Sequence, residues 1–139
     1  MRDLTPEGLG QRRSLSTESR VTVGRPMTMT TGPARIRQIT VDELKSMLDR
    51  GGPLELWDVR TDDERRIAKI EGARHLDQPG VEYLEDLPRD TLLVFHCHHG
   101  IRSQSAGQHF VAKGFTNVCN VIGGIEAWSL RVDTTVPRY

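Results

Sequence analysis

From residue 35 onward the chain alternates short apolar runs with segments whose apolar residues recur at helical spacing. Ile36 to Ile39 reads as a short strand. Thr40-Val41-Asp42-Glu43 then has the spacing of a capping box, opening a helix through Leu44, Met47 and Leu48 that Gly51-Gly52 stops. Leu54 to Val59 predicts a second strand, and Thr61-Asp62-Asp63-Glu64 a second capping box with a short helix behind it. A brief strand is expected near Ala73 to Leu76, then a loop containing Pro79-Gly80 and one or two helical turns over Val81 to Leu87. Leu92 to Phe95 is the most apolar run in the chain, the pattern of a central parallel strand covered on both faces. Ser103 to Lys113 follows as a helix with Ala106 and Phe110 on one face and Gly114 at its end. Asn117 to Val121 reads as a last strand, Gly123-Gly124 as a tight connection and Ile125 to Leu130 as a closing helix. Five strands alternating with helices predict an α/β fold, an open parallel five-stranded sheet flanked by helices.

Residues 1–34 break this rhythm. They contain 16 Ser, Thr, Gly and Pro and none of the seven aromatic residues, with five Arg against Asp3, Glu7 and Glu18. A stretch with so little to bury cannot offset the entropy of ordering it, so it is expected to be a flexible arm, with 35–139 as the single folded domain. Met27 or Met29 as the natural start is an alternative reading of the same segment.

The whole chain carries 19 Lys+Arg and 19 Asp+Glu. A formal net charge of zero gives no general pull toward nucleic acid or an anionic membrane, so neither is an expected partner and any anion site must be local. No apolar run approaches the length of a bilayer span, and the first residues lack the apolar stretch of a secretory signal; the cytosol is the expected location. Two cysteines make no disulfide framework, so each is a core side chain, a ligand or a reactive thiol. Cys119, inside a strand pattern, reads as core, as do Trp57 and Trp128.

In open α/β sheets, ligands sit where loops leave the carboxyl ends of strands. The loop after the most apolar strand reads His96-Cys97-His98-His99-Gly100-Ile101-Arg102-Ser103. A loop that curls into a helix N-terminus turns several backbone N–H groups toward its centre, and these, with the helix dipole, favour an anion there. Cys97 as thiolate would be that anion, and the thiolate is the nucleophilic form. Gly100 permits the tight backbone, and Arg102 offers a planar cation for an oxyanion substrate or a brace for the loop. His98 and His99 shape the loop mouth or add positive potential when protonated. Metal is not expected, because adjacent His and Cys point in different directions and standard sites space their ligands. Asp58 and Arg60 read as a structural pair at a strand end with a supporting role near the pocket.

The loop CHHGIRS resembles the active-site loop of rhodanese-like sulfurtransferases, and other segments resemble that family in the same order. Asp58-Val59-Arg60 with Glu64 is similar to its DxR and following acidic position, Gly72-Ala73-Arg74-His75 to its GAxH, and Gly123-Gly124-Ile125 with Trp128 to its closing GG(I/W)xxW. Ala68-Lys69-Ile70-Glu71 departs from the family's Gly-His-Ile-Pro. The CHHGxRS stretch also resembles rhodanese domains found beside monothiol glutaredoxins. The resemblance implies a single rhodanese-like domain that needs no cofactor, with Cys97 as nucleophile and Arg102, His98, His99, Gly100, Ile101 and Ser103 around the substrate. It further implies double displacement: the Cys97 thiolate takes the sulfane sulfur of a small anion such as thiosulfate and passes it to cyanide, a thiol or a protein acceptor. Cysteine-based phosphatases of similar pattern place five residues between Cys and Arg, whereas four stand between Cys97 and Arg102. A smaller ring of N–H donors suits one sulfur better than a phosphate. The alternatives are such a phosphatase or arsenate reductase, a persulfide carrier serving one protein partner, and a noncatalytic module.

Overall fold

The computed structural model describes residues 35–139. The expected flexible arm and the question of the natural start lie outside the described residues. The chain order is β1 (Arg37–Ile39), α1 (Val41–Arg50), β2 (Glu55–Asp58), α2 (Asp62–Ile67), β3 (Arg74–His75), α3 (Gln78–Glu85), β4 (Leu93–His96), α4 (Ile101–Ala112), β5 (Val118–Val121) and α5 (Gly124–Arg131). The strands form one sheet in the order β1-β5-β4-β2-β3, every pair parallel. β4 is central, as its apolar run requires, and all four of its residues are buried.

Strand alternation divides the core in two. Leu56, Val94, Cys119 and Val121 join Leu44, Ile125 and Trp128 on the face covered by α1 and α5. Trp57, Leu93, Phe95 and Val118 join Leu84, Phe110 and Phe115 on the face covered by α3 and α4. Cys119 is a fully buried thiol of the first layer, and burial pushes its pKa up. The Ala68-to-Glu71 segment keeps an apolar role despite its unusual letters, with Ala68 and Ile70 both buried.

Several element boundaries differ from the sequence pattern. The third strand shrinks to Arg74–His75. Pro79-Gly80 lies inside the first turn of α3 rather than in a loop: Asp77 caps that helix by accepting from the Gly80 N–H, and proline's missing N–H is harmless there. α4 starts at Ile101, two residues earlier than its apolar pattern implies. Thr40 and Glu43 form the full reciprocal capping box. Thr61 forms only half of one, accepting from the Glu64 N–H; the Glu64 carboxylate accepts from Arg102, Tyr139 and the Thr61 hydroxyl instead of the Thr61 N–H.

A buried charge cluster closes the carboxyl end of β2. The Asp58 carboxylate accepts from Arg60 Nε (2.8 Å) and Nη2 (2.6 Å) and from Arg65 Nη1 (2.8 Å). Arg60 also donates to the Ala68 carbonyl (2.7 Å), tying the residues before α2 to its C-terminal end. Burial alone would raise the Asp58 pKa, but the Arg60 hydrogen bond and the nearby charges outweigh it and hold the carboxyl below its ordinary value. Such a pair is costly to break because the surviving partner is left buried and uncompensated. Asp58→Asn should therefore destabilise the fold by about 3–5 kcal/mol in urea titration. Because the folded-state pKa is depressed, the Asp58 contribution is complete above the ordinary value of 3.8 and fades as pH falls below it. The loss on substitution should accordingly shrink in strong acid.

A second expectation concerns Gly80. A Cβ there would lie 2.6 Å from Cζ3 of Trp57, whose ring is buried in the second core layer. Gly80→Ala should cost about 1–3 kcal/mol by overpacking, read as a lowered denaturation midpoint; an unchanged midpoint would show that the Trp57 ring yields freely.

Candidate functional site

Phe95 points toward α4, and Cys97 follows two residues later, just past the end of β4. The residue is 1% exposed. Its Sγ accepts from the Gly100 N–H (3.1 Å) and the Ser103 N–H (3.4 Å) and lies 3.3 Å from Ser103 Oγ. Burial by itself would raise the thiol pKa, but the Ser103 hydroxyl and the N–H groups of Ser103, Gly100 and His99 outweigh it and hold the pKa below the ordinary thiol value. The loop and the first turn of α4 thus present a ring of donors to one sulfur atom.

The loop takes this shape because its carbonyls are held from outside. The Ile125 N–H donates to the Cys97 carbonyl (2.8 Å) and the Glu126 N–H to the His98 carbonyl (3.2 Å). These are N–H groups of the first turn of α5, which have no partner inside their own helix. Gly124, at φ 56°, lies against this contact, and a Cβ there would come within 2.3 Å of the Cys97 carbonyl. Gly100, at φ 107°, turns the loop into α4. On the far side, Asn120 of β5 donates to the Gly100 carbonyl (3.1 Å).

The other predicted site residues divide into those near the sulfur and those that face elsewhere. Gly100 and Ser103 touch Sγ. The Ile101 side chain is 78% exposed, so this residue contributes backbone to the loop and an apolar group to the surface. Arg102 is held by Glu64 in a bidentate pair, Nη1 at 2.8 Å and Nη2 at 2.9 Å. That hydrogen bond lowers the Glu64 pKa to about 2 and raises that of Arg102 further above its ordinary value. In this structure Arg102 is therefore a brace between α4 and α2, half-exposed at the loop mouth. His98 stacks on His99 and on Tyr139, both at 4.0 Å between ring centroids. Burial, followed by the neighbouring His99, pushes the His98 pKa below its ordinary value, so this ring is harder to protonate than a free imidazole. Asp58 and Arg60 make no bond to Cys97; they support the site from beneath through Tyr139, whose hydroxyl accepts from Arg60 Nη1 (2.9 Å) and donates to Glu64 Oε1 (2.7 Å).

Sequence reasoning did not single out Tyr139, Asn120 or Glu126. For Asn120 a signal exists, a polar residue in the otherwise apolar run Val118 to Val121, and it is 4% exposed. Tyr139 carries no local signal, because its contacts join it to positions far back in the chain. His96 is buried beneath the loop with Nε2 3.7 Å from Asp58 Oδ2, and desolvation lowers its pKa to about 4, leaving it neutral near pH 7. Among the described residues no three His, Cys, Asp or Glu side chains are arranged to hold a metal ion, and no helix is long and apolar enough to cross a membrane.

Comparisons with known proteins agree with this architecture. The thiosulfate sulfurtransferase GlpE of Coxiella burnetii (strain RSA 331) is 38% identical over 79 residues, covering 56% of this chain and 74% of the relative. GlpE of Pseudomonas aeruginosa PAO1 is 30% identical over 93 residues, covering 66% and 83%. The crystal structure of a rhodanese-like domain protein from Staphylococcus aureus superposes with a TM-score of 0.60 at 28% identity, covering 75% of this chain and 99% of that one. Residues 40–131 match the rhodanese-like domain as a family. With the parallel sheet, the cysteine loop after its central strand and this match in hand, the chain belongs to the rhodanese-like domain family.

Proposed function

We propose that this protein is a sulfurtransferase in which Cys97 carries a sulfane sulfur from a small anionic donor, such as thiosulfate, to a thiophilic acceptor. The acceptor is cyanide or a thiol, the latter on a small molecule or a partner protein. The observation that carries this reading is the pair of backbone N–H groups that donate to one sulfur, with the Ser103 hydroxyl 3.3 Å away, around a Cys97 Sγ that is almost wholly enclosed. The relatives named thiosulfate sulfurtransferase support it. Four residues between Cys97 and Arg102 leave a small cradle, which favours a single added sulfur over a tetrahedral phosphate.

In the first half-reaction the Cys97 thiolate attacks the outer sulfur of thiosulfate. A bond forms from Sγ to that sulfur, the sulfur–sulfur bond of the donor breaks, and sulfite leaves with the electron pair. In the second, the acceptor's lone pair attacks the terminal persulfide sulfur and the Cys97 thiolate is released. The N–H groups offset the negative charge on sulfur without any proton transfer. Arg102 serves first as the brace to Glu64; being half-exposed, its guanidinium is also within reach of a donor's oxygens from solvent.

Incubation of the purified protein with thiosulfate should add the mass of one sulfur atom to the peptide bearing Cys97, and reductant should remove it. Cys97→Ser should keep the fold and abolish thiosulfate:cyanide sulfur transfer, because a hydroxyl forms no persulfide. Turnover near that of the parent protein in this variant would overturn the assignment.

Alkylation of Cys97 by iodoacetamide supplies the pH test. Because the thiol pKa is lowered, the rate should climb with pH through a midpoint below the ordinary value of 9.0 and level off above it. Sulfur loading should fall along the same curve as pH drops. A midpoint at or above 9.0 would contradict the donor ring.

A further inference from the structure

A chain of side-chain hydrogen bonds runs from the sheet surface to the sulfur. Gln38 Nε2 on β1 donates to Gln104 Oε1 (2.8 Å), and Asn120 Nδ2 on β5 donates to Gln38 Oε1 (2.9 Å) and to the Gly100 carbonyl (3.1 Å). Ser103 Oγ donates to Asn120 Oδ1 (2.5 Å) and lies 3.3 Å from Cys97 Sγ. The polarity of this chain is determined. The Gly100 backbone carbonyl fixes it: a flipped Asn120 amide would set oxygen against that oxygen, so Nδ2 faces Gly100 and Oδ1 faces Ser103. Ser103 and Asn120 are both buried, so their polar atoms rely on hydrogen-bond partners within the protein.

A hydroxyl has one proton to give. With that proton on Asn120 Oδ1, the Ser103 oxygen turns a lone pair toward Cys97, where it accepts from a thiol S–H. When Cys97 ionises, the thiolate and Asn120 Oδ1 compete for the same proton. We propose that Asn120 is a positioning residue for Cys97, acting through the Ser103 hydroxyl: it draws that hydroxyl away from the sulfur and so favours the thiol over the thiolate. The backbone N–H groups of Gly100 and Ser103 stay on the sulfur in both states, whereas the hydroxyl is the movable donor. Once the sulfur carries a persulfide, Sγ is no longer anionic and the hydroxyl returns to Asn120. This last step rests on the sulfurtransferase reading; the positioning role itself does not.

A double-mutant cycle read by the pH profile of Cys97 alkylation tests this. Ser103→Ala removes a donor to the thiolate and should raise the midpoint by about half to one pH unit. Asn120→Ala frees the hydroxyl for the sulfur and should lower it by a similar amount. In the Ser103→Ala background, Asn120→Ala should move it little. Other ionisable groups face the loop: His96 with Asp58, Arg60 and Arg65 beneath it, His98 and His99 within it, Glu126 on α5, and Arg102 with Glu64 and Tyr139 at its mouth. None is altered, so their contribution is common to all four proteins.

If Asn120 merely holds the loop through the Gly100 carbonyl, its loss loosens the N–H donors and raises the midpoint equally in both backgrounds. That result, or no shift in either, overturns the proposal. Should Asn120→Ala fail to show a cooperative melting transition, Asn120→Leu fills the space without a carbonyl and carries the same expectation. Thiosulfate loading is measured alongside on the parent protein. If no sulfur is gained there while the alkylation cycle gives the expected pattern, the sulfurtransferase reading fails and the positioning role stands.

Discussion

Two hydrogen bonds across a loop-to-helix contact hold the reactive end of this molecule together. The carbonyls of Cys97 and His98 accept from the first turn of α5, and with both carbonyls turned outward the loop's N–H groups face the sulfur. The contact satisfies both sides at once, since the helix has N–H groups with no internal partner and the loop has carbonyls with no strand beside them. Its closeness leaves no room for a side chain on Gly124, where a Cβ would overlap the Cys97 carbonyl. The Gly123-Gly124 pair is therefore part of the site although it lies some 25 residues from the cysteine.

The anion at the centre of the loop is supported by dipoles more than by formal charge. The conspicuous cation, Arg102, is matched by Glu64; of the rings flanking Cys97 in sequence, His96 has a pKa lowered to about 4 and is neutral near pH 7, and the pKa of His98 is also lowered. N–H groups fixed by a helix do not titrate, so they act on the sulfur at any pH at which the fold persists, while the Ser103 hydroxyl is shared between the sulfur and Asn120. A nucleophile held this way depends on geometry, and the geometry depends on the elements packed behind it.

Those elements are joined by the buried Asp58–Arg60 pair. Arg60 reaches from Asp58 to the Ala68 carbonyl and to Tyr139, and Tyr139 in turn contacts Glu64 and stacks on His98. The end of β2, the start of α2, the residues after α5 and the cysteine loop thus meet in one polar cluster. A buried ion pair of this kind is weak evidence for stability by itself, because desolvation opposes the attraction. Its role here is to define how four chain segments converge.

Local sequence determined the elements and their order, because strand and helix periods, capping pairs such as Thr40 with Glu43, and glycine stops depend on neighbours a few residues apart. It also placed Cys97 at the carboxyl end of the most buried strand, before a helix start, and a thiol in that setting has a recognisable chemistry. The tertiary structure alone decided what the polar side chains do. Arg102 and Glu64 stand 38 residues apart, Asn120 and Ser103 17 apart, and Tyr139 and Arg60 79 apart. The half-formed capping box at Thr61 shows the reason: the spacing to Glu64 is correct, but Arg102 and Tyr139, brought in by the fold, take up the carboxylate together with the Thr61 hydroxyl, and the Thr61 N–H is left out. Periodicity records which face of an element is covered. Which partner a buried polar group finds is determined only when the strands have been ordered and the loops have met.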